Sequence, residues 1–418
     1  MPRDTDYHLM GKRRFMKALS KLGLSATAVS QMSKSTLARL TDDPKKAVPR
    51  VKYVNGPAID HDPEDGFVEY EDAEVEYYTI PRDEWVYTQS RYEAGQKLVQ
   101  QFSNEGIQPA GIYVVVKTLS GQNEKVVSVR INRSRRKEVL SDGVSVESIK
   151  NRVPEEVPTE LEYGGKRVTK NVPVIVEEGD PDDEDEPDVS EEVSTEGGAY
   201  YDFKYRPVPG GCKIRTQKPD DDWSRSTGGI RAYDEERGEY VYVISGHAVD
   251  GEDGQTVAQR HIDEKIGTTD KAIYKSRYHW SRMDAATVVL DDGIETTAEQ
   301  AENDGGYLPE PVVGYVHTDW LEDNEGGGET IRKFGKETGP SSGDLDEVSV
   351  SRDFFTVDGA FSASGDSGGP YYYDSGNYFY VAGIHRGETG DDEPMAVVAQ
   401  NIMDEFDLSF GNPLYPSP

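Results

Sequence analysis

Between Glu177 and Gly198 the chain carries Gly-Asp-Pro-Asp-Asp-Glu-Asp-Glu-Pro-Asp and almost no apolar side chain. Like charges repel, proline stiffens the backbone and nothing there gains by burial, so such a stretch stays extended and solvated. It cannot lie inside a core. Residues 177–198 are therefore read as an acidic disordered linker, and whatever folds must fold on either side of it. The full length of 418 residues leaves room for two or three domains, each with its own core.

Charge narrows the partners. Asp and Glu number 79 against 46 Lys and Arg, a formal net charge of −33. Such a surface repels nucleic-acid phosphates and anionic lipid, so neither nucleic acid nor membrane is expected as a partner. The acids are scattered along the whole chain, which suits a solvated face in very high salt, where counter-ions screen the self-repulsion. A salt-loving source is the working expectation; a docking surface for basic partners or cations is the other reading. No run approaches the roughly 18 consecutive apolar residues that a membrane helix needs. The single cysteine, Cys212, allows neither an intramolecular disulfide nor a thiolate zinc site.

The region before the linker divides in two. Residues 1–65 read as a helical and then extended arm. Within it Lys12-Arg13-Arg14-Phe15-Met16-Lys17 resembles a twin-arginine export motif, with Ala18 to Met32 as the apolar stretch and Ala26-Thr27-Ala28 as a cleavage site. Lys21 interrupts that stretch, and an amphipathic helix through Phe15, Leu19 and Leu22 reads equally well. The cellular address stays open between cytoplasm and export. Residues 66–176 read as a small α+β domain. Helical periodicity runs from Asp83 to Phe102, and the apolar runs Gly111–Leu119 and Lys125–Ile131 read as paired strands across a Ser-Gly-Gln-Asn turn. A short helix is expected over Val144–Lys150 and a strand over Val168–Val176.

Beyond the linker, residues 199–418 alternate Val, Ile and Tyr runs with Gly, Asp and Asn, the pattern of an all-β domain. Its strongest feature is Gly365-Asp366-Ser367-Gly368-Gly369-Pro370. The glycines permit a tight turn in which backbone N–H groups converge on one point, the arrangement that stabilises a developing oxyanion in acyl transfer. A hydroxyl alone is a weak nucleophile and needs a base. His247 stands in Ser245-Gly246-His247-Ala248-Val249, directly after the apolar run Tyr240–Ile244, with small neighbours that leave an imidazole room to reach across a cleft. Asp284, 37 residues on, precedes the small-then-β-branched run Ala285–Leu290 and sits at the lip of a buried strand. The same serine segment satisfies G-x-S-x-G, but an α/β-hydrolase places its acid and histidine after the serine. Too little chain follows Ser367 for that.

The order His, Asp, Ser, with these three local segments, resembles the chymotrypsin-like (trypsin-fold) serine peptidases over roughly residues 205 to 410. Arg206–Gly211, Ser226–Tyr233 and the Lys333-x-Gly335-x-x-Thr338-Gly339 hairpin resemble the disulfide-free prokaryotic branch. The resemblance implies a mainly β fold, with a chymotrypsin-like double β-barrel in the C-terminal domain, following the small α+β N-terminal domain. It implies Ser367 as nucleophile, His247 as base and Asp284 as its orienting partner. The backbone N–H groups of Gly365 and Ser367 would form the oxyanion hole. It implies a protein or peptide substrate and neither cofactor nor metal; oligomeric state is not indicated. In that family Phe361, His385 and Gly387 fall where the side chain before the scissile bond is bound. Phe361 replaces the aspartate of enzymes that cut after Lys or Arg, and Gly383-Ile384-His385 followed by Gly387 resembles glutamyl endopeptidases, which implies a preference for acidic residues. In the resembling zymogens the aspartate before the serine accepts an ion pair from a freed N-terminus, yet no activation sequence precedes the barrel here. The 66–176 region would be a pro-region or a recruitment domain. A catalytically silent scaffold that keeps the fold is the alternative from another class.

Overall fold

The computed structural model describes residues 47–55, 59–61, 68–70, 75–105, 107, 112–119, 124–132, 146–163, 166–179, 200–275, 282–388 and 393–410. The basic segment and apolar stretch of residues 12–32, most of the 1–65 arm and linker residues 180–198 lie outside them.

The fold is mainly β. In the first half of the C-terminal region the strands Trp223–Thr227, Lys213–Gln217, Thr256–Gln259, Lys265–Tyr274, Asp284–Leu290, Glu239–Ile244, Ile230–Asp234 and Leu408–Ser409 form one eight-stranded sheet in that order. Lys213–Gln217 alternates half-buried and buried side chains, the period-two signature of a strand with one face on a core. Ile214, Ile230, Val241, Val257, Ile266 and Val288 enter one buried cluster although they come from across the whole sheet. The same cluster takes in Phe334, Tyr372, Phe379, Val381 and Ile384 from further along the chain, so the sheet packs on a core that it shares with the strands that follow.

The second half closes fully. Strand Phe379–Glu388 pairs with Pro370–Asp374, then the pairing runs through Thr330–Gly335, Gly339–Ser349, Phe354–Asp358 and Pro394–Val398 back to Phe379–Glu388. A closed ring of six strands leaves no free edge within it.

The N-terminal elements lie against this second barrel. Ala47–Asn55 pairs with Val312–Val316, and Ile112–Leu119 pairs with Gly339–Ser349 through Val116↔Val348 and Val115↔Ser349. Helix α1 (Arg82–Asn104) covers the expected periodic stretch, begins after Pro81 and carries Asp83 and Glu84 in its first turn, where the helix dipole favours them. The expected strands are found at Ile112–Leu119, Glu124–Asn132 and Lys166–Gly179, and the short helix α2 at Val146–Lys150. Strand Lys166–Gly179 continues past Glu177, whose carboxylate is held 2.8 Å from Lys117 Nζ and 2.7 Å from Ser128 Oγ. Tyr92, Leu98, Phe102, Val114 and Val127 share one buried cluster with Ile331, Leu345, Val350 and Phe355 of the barrel. Among the described residues no helix is long and apolar enough to cross a membrane.

Candidate active site

Strand Glu239–Ile244 runs into Ser245, Gly246 and a single 3₁₀ turn, His247–Val249. A Cβ at Gly246 would stand 2.2 Å from the carbonyl oxygen of Ile273, so only glycine lets the chain pass this close to the neighbouring strand. His247 leaves from that crossing. Asp284 opens strand Asp284–Leu290, opposite Tyr274, and has no exposed surface. Its Oδ1 accepts the backbone N–H of His247 at 2.7 Å, and its Oδ2 lies 2.6 Å from His247 Nδ1. Burial alone would push the Asp284 carboxyl up, but the charge and hydrogen bonds of His247, with the Arg386 guanidinium, hold it below the ordinary aspartate range. An ionised carboxylate only accepts, so Nδ1 carries a proton toward it; in the neutral imidazole Nε2 is then the acceptor. The ring of Tyr274 meets the imidazole edge to face, 5.8 Å between centroids.

The serine turn belongs to the other barrel. Asp366 N–H donates to Ala363 O at 3.0 Å and Gly369 N–H to Asp366 O at 2.8 Å, folding two tight turns about Ser367. Gly365 and Gly368 have φ of 106° and 85°, conformations that need glycine. At Gly368 a Cβ would meet the Thr227 carbonyl oxygen at 2.5 Å and Ser245 N at 3.1 Å. The residue after Ser367 is thus packed against the residue two before His247, with the Ser367 carbonyl accepting from Thr227 N–H at 2.9 Å. Gly368 N–H is occupied, donating to His385 O at 2.8 Å. The N–H groups of Gly365 and Ser367 donate to no acceptor among the described residues. No hydrogen bond joins the half-buried Ser367 hydroxyl to His247 Nε2, so of the contacts within the expected triad the His247–Asp284 pair is closed and the serine–histidine one open.

Asp366 is anchored without any chain terminus. Its Oδ2 lies 2.5 Å from Lys333 Nζ and accepts the Thr338 hydroxyl at 2.6 Å; its Oδ1 accepts the N–H of Glu337 at 2.9 Å. Both charged side chains are fully buried. Burial raises the Asp366 carboxyl, but the Lys333 ammonium, with His385 and the hydrogen bonds of Lys333 and Thr338, holds it below the ordinary aspartate range. Lys333 also donates to the Phe361 carbonyl at 2.7 Å. A lysine side chain is thus the cationic partner of Asp366.

The residues expected to bind the substrate side chain separate. Phe361 is 71% exposed. Gly387 sits on strand Phe379–Glu388 with open space where a Cβ would be. His385 is buried, its Nε2 2.9 Å from Ser362 Oγ and its Nδ1 3.0 Å from the Tyr371 hydroxyl. Of these two partners Tyr371 is buried and Ser362 half-buried. Ser362, Tyr371, Arg386 and the ion-pairing of Lys333 were not singled out from sequence. Lys333 stood in a recognised hairpin and Arg386 beside His385, but a polar residue in a strand carries no local mark of what it meets. Among the described residues no group of His, Cys, Asp or Glu is arranged to hold a metal ion.

No family model matches the chain, and no curated protein does. Solved structures that resemble it include a glutamic-acid-specific serine protease described as using a histidine triad in substrate binding. It is 16% identical over 49% of this chain and 100% of its own, with a TM-score of 0.36. A chymotrypsin of Cellulomonas bogoriensis is 16% identical over 49% of this chain and 98% of its own, TM-score 0.32. The Rv3671c protease of M. tuberculosis in its active form is 16% identical over 49% and 82%, TM-score 0.29.

Proposed function

We propose that the chain is a chymotrypsin-like serine endopeptidase working through an acyl-enzyme. The Ser367 hydroxyl attacks the peptide carbonyl as its proton passes to His247 Nε2. Asp284 keeps the imidazole in the right tautomer and stabilises the imidazolium. The N–H groups of Gly365 and Ser367 receive the oxyanion, an arrangement in which one donor is worth about 10²–10³ in rate. The imidazolium then protonates the leaving amine, and water repeats the sequence on the acyl group. The observation that carries this reading is the buried Asp284 holding His247 by two hydrogen bonds beside a glycine-bounded serine turn. The open serine–histidine contact fits a resting site, since catalytic hydrogen bonds often tighten only with substrate.

A preference for acidic residues before the scissile bond rests on the Ser362–His385–Tyr371 chain, which offers a hydroxyl backed by an imidazole. The activity itself is tested with a fluorophosphonate probe on the full chain. Wild type is expected to label, and Ser367→Ala to lose the label while keeping its fold. A folded wild type that stays unlabelled would leave a binding scaffold with the triad residues in place.

A further inference from the structure

Two side chains of the second barrel grip the backbone of a single residue of the first, one on each of the peptide units that flank it. The backbone N–H of Arg282 donates to Asp353 Oδ2 at 2.5 Å, and the carbonyl of Arg282 accepts from the Arg386 guanidinium. Arg386 also donates to the Lys275 carbonyl at 3.1 Å, while Lys275 N–H donates to Met283 O at 2.8 Å. Arg282 stands two residues before Asp284, and Lys275 follows Tyr274, the strand partner of Asp284. The two strands are therefore fastened together where Asp284 departs for His247.

Both grips are themselves fixed. Asp353 Oδ1 accepts the Ser349 hydroxyl at 2.6 Å, the Asp353 N–H donates back to Ser349 Oγ at 3.0 Å, and its carbonyl accepts from Val398 N–H at 3.0 Å. Arg386, Asp353 and Arg282 are all buried. Arg386 directly follows His385, whose carbonyl accepts Gly368 N–H and whose N–H donates to Gly369 O at 2.7 Å. Consecutive residues of one strand thus hold the serine turn by backbone and the aspartate strand by side chain.

That placement has a physical consequence. Ser367 lies in one barrel and the His247–Asp284 pair in the other, so their relative position depends on how the barrels are joined. A misplacement of about 1 Å costs on the order of 100-fold in a reaction of this type. We infer that Arg386 and Asp353 are positioning residues, a clamp across the barrels that fixes Asp284, and through it the His247 ring, relative to the serine turn. This rests on the triad reading above.

The test uses the full chain with Arg386→Met, Arg386→Lys and Asp353→Asn, each checked for folding by thermal unfolding. One readout needs no activity: the low-field proton resonance of the His247 Nδ1–H, assigned by its absence in His247→Ala. The second is fluorophosphonate inactivation resolved into a maximal rate and a half-saturation concentration. In Arg386→Met the resonance is expected to broaden away and the maximal rate to fall tenfold or more, with half-saturation within twofold. Arg386→Lys should recover part of both. Asp353→Asn keeps an oxygen acceptor for Arg282 and should lose less than threefold. A folded Arg386→Met with the wild-type resonance overturns the clamp, whether or not the serine labels. An unlabelled wild type whose resonance still vanishes in Arg386→Met would sink the catalytic reading and leave the clamp standing. Should Arg386→Met fail to fold, Arg386→Lys and Asp353→Asn carry the same readouts, and wild-type values in both overturn it.

Discussion

His385 is buried, with 2% of its surface exposed. Burial, and then the nearby Lys333 ammonium, hold the imidazole well below the ordinary histidine range, so it is neutral at pH 7. A carboxylate brought up to Ser362 would favour the imidazolium, and binding would then take up a proton. The protonated form binds an acid more tightly, so the ratio of kcat/KM for a glutamate substrate over its glutamine counterpart should rise as pH falls from about 8 to 6, by up to roughly tenfold per unit for one proton. Taking the ratio cancels whatever pH dependence the two substrates share. Ser362→Ala should flatten that rise and cut the preference by roughly 10–100-fold, the worth of a hydrogen bond to a charged group. Equal rates on the two substrates at every pH would remove the acidic preference. In the apo protein the same buried neutral imidazole works against stability in acid. The unfolded chain binds the proton more readily, so this contribution is intact above the ordinary histidine value of about 6.5 and is lost progressively below it, until the folded imidazole itself takes up the proton.

At the scale of elements, helix α1 shows how the N-terminal region is seated. Trp85, Tyr92, Ala94, Leu98 and Phe102 are among its buried side chains, and Gly95 faces Val350 of the barrel so closely that a Cβ would stand 2.3 Å from Val350 Cγ1. Alanine is the better helix former by about 1 kcal/mol, so propensity argues for Gly95→Ala. Overpacking a tight contact typically costs about 1–3 kcal/mol, which is the larger effect. Gly95→Ala should therefore lower the thermal midpoint; a rise would mean the helix does not press on Val350. The helix itself was legible from its apolar spacing, as were the strands at Ile112–Leu119 and Glu124–Asn132, because each marks its own face. Pairings were not. Ala47–Asn55 meets Val312–Val316 across more than half the chain, and a register that distant leaves no trace in either segment. The site divides the same way. His247 and Asp284 stand at strand ends that the apolar runs reveal, whereas Asp353 and Arg386 act through contacts between barrels and Lys333 through a contact with the serine turn of its own barrel, neither of which leaves a local mark.

For the whole molecule, what joins the region before the linker to the barrel decides whether it can be shed. Arg50 is buried among three carboxylates of helix α3 (Thr318–Asn324) and its flank: Nη1 lies 3.0 Å from Asp319, Nη2 2.7 Å from Glu322 and Nε 2.9 Å from Asp323. Tyr78 donates to Asp323 at 2.5 Å, Gln89 to Glu322 at 2.6 Å and Tyr92 to Glu325 at 2.9 Å. Removing one partner of a buried ion pair costs about 3–5 kcal/mol, since the other is left charged and unpaired. Loss of residues 47–179 would strip partners from four carboxylates at once and uncover Leu345, Val350 and Phe355, each worth roughly 1.5–3 kcal/mol when buried. We propose that this region is a retained part of the molecule and not a pro-region released on cutting. A specific protease site inserted between residues 180 and 198 tests it. After complete cleavage the two fragments should co-elute on gel filtration, in high salt as well as low, because buried pairs are little screened. Denaturant should be needed to part them. Fragments that elute separately in native buffer would mean that the ion network does not outweigh the entropy of release, and residues before the linker would then be a pro-region after all.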